Sequence, residues 1–410
     1  MRWLGRRWAG LALFLSVAGP GIITASVDND ANGIATYSIA GAHYGYALLW
    51  TLPLAIIALI IIQEMNARMG AVTGLGLADL IREQFGVRTT AAIMGVLLLA
   101  NWANTIGDFA GVAGSLEIFH LPRLIGVPVV AAAVGVLVFR GGYRLIERIF
   151  LVASALYILY AVSAVLAKPQ WGSVFRAAVI PSLRLDSEYI VLLIALIGTT
   201  IAPWMQFYQQ AAVVDKGLTV DDLRLERWDV ALGALITALV AGSIIVATAA
   251  TLFPHGIHVE RAEDAARALA PLAGTYASLL FALGLLNAAV FSVAIIPLST
   301  AYAICEAFGW EAGLDRTVAE APVFYGLFLA VLVTSALVVL WPGLPLVRVM
   351  VASQALNGIL LPAVLVIMLR LVNDRRLMGR KVNSSGANAV ALATSAILIL
   401  LTLVLLVKSL

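Results

Sequence analysis

Two carboxylates and two carboxamides fall within the run Asp28-Asn29-Asp30-Ala31-Asn32, with Gly19-Pro20-Gly21 upstream and Gly33 directly after. Asp and Asn compete for backbone hydrogen bonds, and Gly and Pro weaken a helical ladder, so this run reads as unwound backbone with free carbonyl oxygens. Carboxylate, amide and carbonyl oxygens together suit a hard divalent cation. Asp30 and Asn32 are the principal candidate ligands, and Asp28 either binds directly or raises the local negative potential. The same run would also fit a loop between two short helices, but its place inside a long apolar stretch matches the broken helices of transporters.

A second interruption lies in Ile197-Gly198-Thr199-Thr200-Ile201-Ala202-Pro203-Trp204. Pro203 removes a backbone donor and clashes with the preceding turn, which frees carbonyls around Thr199 and Ala202. A lone proline kink is common in membrane helices; here it interrupts the sixth apolar stretch as the acidic run interrupts the first. Paired interruptions in two halves point to the site of an inverted-repeat transporter. Gln354 and Asn357, in the tenth stretch, either line the pathway or bond between helices. Gln206, Tyr208, Gln209 and Gln210 line the inner half of the sixth helix or join it to its neighbours. Asp108 reads either as part of an ion or proton path or as half of a structural pair, since an acid at bilayer depth needs a partner, a proton or water. Glu64 and Glu117 fall near stretch ends, and His43, His120, His255 and His258 all fall in outer connections. Cys305 is the only cysteine, so no intrachain disulfide or multi-cysteine metal cluster is expected.

The elements that must position these residues follow from composition. Of 410 residues, 62% are apolar and 12% charged, against about 45–50% apolar in globular proteins. With a mean hydropathy of +1.00, an ordinary soluble protein is excluded and the bilayer is the expected solvent. Apolar stretches lie at 9–41, 45–66, 89–116, 122–140, 146–167, 189–213, 229–253, 273–306, 322–341, 346–370 and 387–408. They predict an all-α polytopic membrane protein in one transmembrane domain over 1–410, with a first repeat at 9–167, a second at 189–370 and an extra helix at 387–408. The first stretch exceeds one crossing and is expected to break at Gly19-Pro20-Gly21 or at 28–33. The linker 254–271, with His255, His258, Glu260, Arg261, Glu263, Asp264 and Arg267, reads as an outer amphipathic helix.

Charge orients the array. With the N-terminus inside, the inner segments hold Arg2, Arg6, Arg7, Arg68, Arg82, Arg88, Arg140, Arg144, Arg148, Lys216, Arg224, Arg227, Arg316, Arg370, Arg375, Arg376, Arg380 and Lys381, most of the 26 basic residues. The positive-inside rule therefore predicts a cytoplasmic N-terminus in the cytoplasmic (inner) membrane. Arg2, Arg6 and Arg7 before an apolar run also resemble a secretory leader, but that run continues well past a leader core and is read as a retained span. A net charge of +3 is too small and scattered to indicate nucleic acid.

Over nearly its whole length the chain resembles the NRAMP (natural resistance-associated macrophage protein) family of divalent metal transporters, of the APC-type 5+5 inverted-repeat fold. The resemblance is carried by Gly19-Pro20-Gly21 through Asp28–Ala40 with Ile34-Ala35-Thr36-Tyr37, by Gln63-Glu64-Met65-Asn66-Ala67-Arg68-Met69-Gly70, and by the Gly198–Gln210 run. The family's first helix carries Asp-Pro-Gly-Asn, whose aspartate and asparagine bind metal. Its sixth carries Ala-x-x-Met-Pro-His, whose methionine sulfur and alanine carbonyl complete the site. Here Asp30 stands for that aspartate, Asp-Ala-Asn-Gly replaces Asp-Pro-Gly-Asn and moves the amide to Asn32, and Thr199, Ala202 and Trp204 replace the alanine, methionine and histidine. The family's Asp-x-x-Glu pair in the third helix corresponds to Thr105 and Asp108.

Losing the thioether removes the preference for transition metals, and an all-oxygen site suits Mg²⁺, which keeps several waters. The pattern resembles the NRAMP-related magnesium transporters more than the proton-coupled manganese and iron importers. The resemblance thus implies alternating-access transport of Mg²⁺, and also of Mn²⁺, with no resident cofactor. Its ligands would come from Asp30, Asn32, Thr199, Ala202, Asp28 and Gln354, and an ion or proton path from Asp108, Thr105, Trp204 and Gln209. The alternatives are a proton-coupled Mn²⁺/Fe²⁺ importer, an intramembrane enzyme, for which no nucleophile–base pair is found at bilayer depth, and a scaffold or receptor that binds no cation.

Overall fold

A computed structural model describes residues 19–409 apart from 142, 258, 260–263, 267–273 and 344–345. The described residues are almost wholly helical, with no strand among them. In chain order the helices are α1 (Pro20–Val27), α2 (Ala31–Tyr44), α3 (Thr51–Thr73), α4 (Leu77–Ile118), α5 (Arg123–Arg140), α6 (Tyr143–Ala155), α7 (Ile158–Leu166) and α8 (Trp171–Val179). There follow α9 (Ser187–Thr200), α10 (Pro203–Asp215), α11 (Leu223–Thr251), α12 (Thr275–Phe308), α13 (Pro322–Leu340), α14 (Leu346–Asn373), the short α15 (Arg375–Met378) and α16 (Ser385–Ser409). Among the described residues, 10 helical stretches are long and apolar enough to cross a membrane. With the broken pair α1–α2 they account for the eleven expected passages.

The first stretch breaks at Asp28–Asp30, and Gly19 instead precedes the start of α1. The sixth breaks at Ile201–Ala202, between α9 and α10. Other boundaries shift for local reasons. Gly45 ends α2 at φ 59°, and the turns up to Trp50 displace the second crossing from 45–66 to Thr51–Thr73. Helix α3 continues past the apolar limit because Arg68 pairs with Glu64 one turn earlier at 3.0 Å, and Glu64 also meets Arg227 of α11 at 2.9 Å. Before the apolar stretch 89–116, α4 carries a polar section with Asp79, Arg82, Glu83 and Arg88, kinked at Gly86 (φ 79°, ψ 165°). In the expected linker helix, Phe253–His255 form a 3-10 turn and 264–266 are helical. His258, Glu260, Arg261, Glu263 and Arg267 lie outside the described residues, as do residues 9–18 of the first stretch.

Helix α11 holds both halves of the broken first helix, packing against α1 and α2. The α1–α11 crossing requires glycine on each side: a Cβ on Gly21 would stand 2.7 Å from the Val230 nitrogen, and one on Gly233 would stand 2.6 Å from the Gly21 oxygen. That approach brings Asp229 of α11 to the head of α1, which has no side-chain cap of its own. Asp229 Oδ2 accepts the backbone N–H of Gly19 at 3.1 Å and of Gly21 at 2.6 Å. Beside the same point, Lys216 Nζ, just after α10, meets Glu147 Oε1 of α6 at 2.5 Å. A carboxylate at a helix N-terminus satisfies orphan amides and complements the helix dipole. Removing it by Asp229→Ala leaves buried amides unpaired, which costs ~1–3 kcal/mol. The variant is therefore expected to melt several degrees lower in detergent; an unchanged Tm would show that Asp229 does not hold α1.

Candidate functional site

Opening a helix in mid-membrane strands its carbonyls, and here hydroxyls from neighbouring helices meet them. At the end of α1, the Ala25 carbonyl accepts Thr237 Oγ1 at 2.5 Å and the Val27 carbonyl accepts Ser292 Oγ at 3.5 Å. In the break itself, the Asn29 carbonyl accepts the Tyr157 hydroxyl at 3.3 Å. Helix α2 then restarts on its own sequence signal. Asp30 is extended (φ −68°, ψ 175°), and its Oδ1 accepts the Gly33 N–H at 2.5 Å as an N-cap. In the opposing break, Pro203 has no N–H to give the Thr199 carbonyl, and Ile201 leaves helical geometry at φ −134°.

These two breaks bring oxygen atoms together at Gly33. Thr199 Oγ1, the Asp28 carbonyl oxygen and Asp30 Oδ1 lie 2.7, 3.1 and 3.2 Å from the point where a Cβ on Gly33 would sit. A hydroxyl, a carbonyl and a carboxylate thus converge on one small region. The Thr199 hydroxyl and both Asp28 carboxylate oxygens have no hydrogen-bond partner among the described residues. Asp28, Asp30, Asn32, Thr199, Ala202 and Gln354 are all at most 2% exposed, so the site is enclosed in this conformation. Among the described residues no three His, Cys, Asp or Glu side chains gather as a metal-binding group. Any cation here must therefore draw on hydroxyl, amide and backbone oxygens as well as the acids.

The amides complete the ring. Gln354 Nε2 of α14 lies 3.5 and 3.4 Å from the two Asp30 carboxylate oxygens, and its own Oε1 accepts Asn357 Nδ2 at 3.1 Å. Asn32 Nδ2 reaches Asp30 Oδ2 at 3.4 Å, the Asn104 carbonyl at 3.0 Å and Asp108 Oδ1 at 3.0 Å. A carboxamide is a donor on one side and an acceptor on the other. Asn32 and Gln354 now donate to carboxylate, and turning either amide over would present an oxygen to a cation. Asp108 Oδ1 also accepts the Ala31 N–H at 3.0 Å, so Asp108 caps α2 from α4.

The remaining expected residues bond to nearby backbone and side chains in this conformation. Thr105 Oγ1 bonds back to the Asn101 carbonyl at 2.8 Å. The Trp204 carbonyl accepts Ser299 Oγ at 3.0 Å, and the Ala202 carbonyl accepts Gln206 Nε2 at 3.2 Å. Gln209 Nε2 donates to Glu226 Oε1 of α11 at 2.9 Å, Gln206 bonds Asn66, and Gln210 donates to the Leu75 carbonyl at 2.8 Å. Asp229, Tyr157, Asn104 and Met350 are absent from the residues expected by sequence. Asp229 sits among Arg224 and Arg227, where an acid looks like interfacial charge, and Tyr157 lies in an unremarkable apolar run. Met350 precedes Gln354 by one turn of α14, and its Cγ and Asn32 Oδ1 both lie against Gly107. The convergence at Gly33 yields a direct test: Gly33→Ala would drive a methyl into all three oxygens. It should abolish cation binding measured by calorimetry, even where the variant runs as a monodisperse species in detergent; retained affinity would contradict the geometry.

Comparison with known proteins agrees with this architecture. The model of the family described as natural resistance-associated macrophage protein-like matches residues 21–408. A divalent metal cation transporter MntH from Ralstonia nicotianae is 31% identical, over 92% of this chain and 87% of the relative. MntH 1 from Pseudomonas aeruginosa is 32% identical, over 93% and 88%. Among solved structures, the Eremococcus coleocola manganese transporter superposes with a TM-score of 0.75 at 23% identity, covering 95% of this chain and 86% of that one. Mhp1, a nucleobase-cation-symport-1 family transporter in a closed conformation, superposes at 0.59 with 16% identity, covering 95% and 91%. The fold is the inverted-repeat transporter fold with broken first and sixth helices, and this integral membrane protein belongs to the natural resistance-associated macrophage protein (Nramp) family.

Proposed function

We propose that the protein carries a hard divalent cation, Mg²⁺ ahead of Mn²⁺, across the cytoplasmic membrane by alternating access, with its N-terminus inside and without a coupled proton. The observation that carries this reading is the convergence of Thr199 Oγ1, the Asp28 carbonyl and Asp30 Oδ1 at Gly33; the resemblance adds that Ala202 stands where the family carries a thioether. Asp30 supplies the principal anionic ligand, and Thr199 and the Asp28 carbonyl supply neutral oxygens. The carbonyls of Thr199 and Ala202 and the amides of Asn32 and Gln354 complete the shell by local rotation. Hard oxygen ligands and retained water suit Mg²⁺.

Proton independence rests on what occupies the expected path. Asp108 is engaged as the cap of α2, Thr105 bonds its own helix, and Trp204 stands in place of a histidine. Inward movement is then driven by the membrane potential, worth about 2.3 kcal/mol per charge per 100 mV and twice that for a divalent ion. Because the site is enclosed, each transport cycle requires a conformation open to either side, supplied by motion between the repeats proposed at 9–167 and 189–370. The helix at 387–408 stands outside both repeats.

Mn²⁺ as the main cargo is the second reading. It is supported by relatives whose names specify MntH or manganese, and by Met350, whose side chain lies beside Asn32. Two substitutions separate the readings. In proteoliposomes Asp30→Ala is expected to reduce Mg²⁺ uptake to the level of empty vesicles, and intact uptake would remove Asp30 from the site. Ala202→Met is expected to raise affinity for Mn²⁺ or Cd²⁺ by about tenfold, as a new soft ligand should; unchanged selectivity would favour the second reading.

A further inference from the structure

Helix α4 presents one face to the start of α2. Asn104, Gly107, Asp108 and Gly111 recur at three- and four-residue spacing, which places them on the same side of a helix. Contacts define where that face lies. A Cβ on Gly111 would meet Ala31, one on Gly107 would meet Asn32 Oδ1, Asp108 Oδ1 holds the Ala31 N–H, and the Asn104 carbonyl holds Asn32 Nδ2. The Asp30 carboxylate is thus joined to this face through the single side chain of Asn32.

The face carries polar atoms with no hydrogen-bond partner among the described residues. Asn104 is 0% exposed, and neither its Oδ1 nor its Nδ2 has a partner among the described residues. The same holds for Asp108 Oδ2, one turn further along, and for Asn32 Oδ1 opposite. Each buried polar atom left in this state is costly, and buried groups of this kind are ordinarily satisfied by ordered water. Three of the four are acceptor oxygens, which suits water molecules that donate. A cation polarises its own waters into strong donors, and Mg²⁺ gives up its waters reluctantly.

We infer that Asn104, with Asp108 Oδ2, forms an outer-sphere cradle for the waters of a partly hydrated cation bound at Asp30, and that Asn104 sets the preference for Mg²⁺ over Mn²⁺. This inference rests on the proposed cation site and assigns Asn104 a positioning role, in which it touches bound water and not the ion. An ion that sheds water more readily depends less on the cradle. Substitution of Asn104 must therefore change the ratio between cations, whereas loss of packing alone would weaken both together.

The test is Asn104→Leu, which removes both polar atoms at nearly constant volume, measured for Mg²⁺ and Mn²⁺ by calorimetric Kd and by kcat/KM in proteoliposomes. The expected result is that Mg²⁺ falls at least fivefold more than Mn²⁺ in both measurements. Equal losses, or no change, would overturn the inference while leaving the Asp30 site standing. Should the leucine variant fail to fold, Asn104→Ala is read by the same ratio. Failure of the unsubstituted protein to bind or transport Mg²⁺ would instead overturn the proposed function on which the inference rests.

Discussion

A transmembrane helix can be opened only where every backbone group it releases finds another partner, because the hydrocarbon core offers no water. The break at Asp28–Asp30 meets this condition through Thr237, Ser292 and Tyr157, which donate to the Ala25, Val27 and Asn29 carbonyls. These donors come from α11, α12 and the α6–α7 junction, so the break depends on helices distant in sequence. The reward is chemical. Unwound backbone turns the Asp28 carbonyl toward Gly33, where Thr199 from the opposing break completes an oxygen cluster. Site and fold are therefore one construction.

Carboxylates are placed in the membrane by the same logic. Asp30 caps α2 from within, Asp108 holds its first N–H from α4, and Asp229 holds the head of α1 from α11. Each stands at the positive end of a helix dipole, which offsets part of the cost of burying an acid. This placement divides the labour among the acids. Asp229 tethers the head of α1, Asp108 joins α4 to the start of α2, and Asp30 caps α2 while accepting the amides of Asn32 and Gln354. Asp28 is left with both side-chain oxygens without a hydrogen-bond partner among the described residues, at 2% exposure.

Sequence alone made the membrane class, the eleven passages and the two broken helices legible, since apolar runs and their interruptions follow directly from solvation. That Asp30 and Thr199 flank the two interruptions is legible too, and the structure places an oxygen of each beside Gly33. What was not legible concerns partners distant in the chain. The Asp229–Gly21 contact spans more than 200 positions and depends on a glycine crossing that no local pattern announces. Nor could Tyr157 be told from any other apolar aromatic until its hydroxyl was found on the Asn29 carbonyl. The polar start of α4 was missed because a hydropathy window stops where charge begins, although the helix does not.

The proposed all-oxygen site at Asp30 would move a hard cation on membrane potential alone. This is tested most directly by uptake into proteoliposomes under an inside-negative potential, with Mg²⁺ and Mn²⁺ compared and internal pH recorded throughout. Mg²⁺ entry without acidification is expected. Mn²⁺ entry with acidification and exclusion of Mg²⁺ would contradict it.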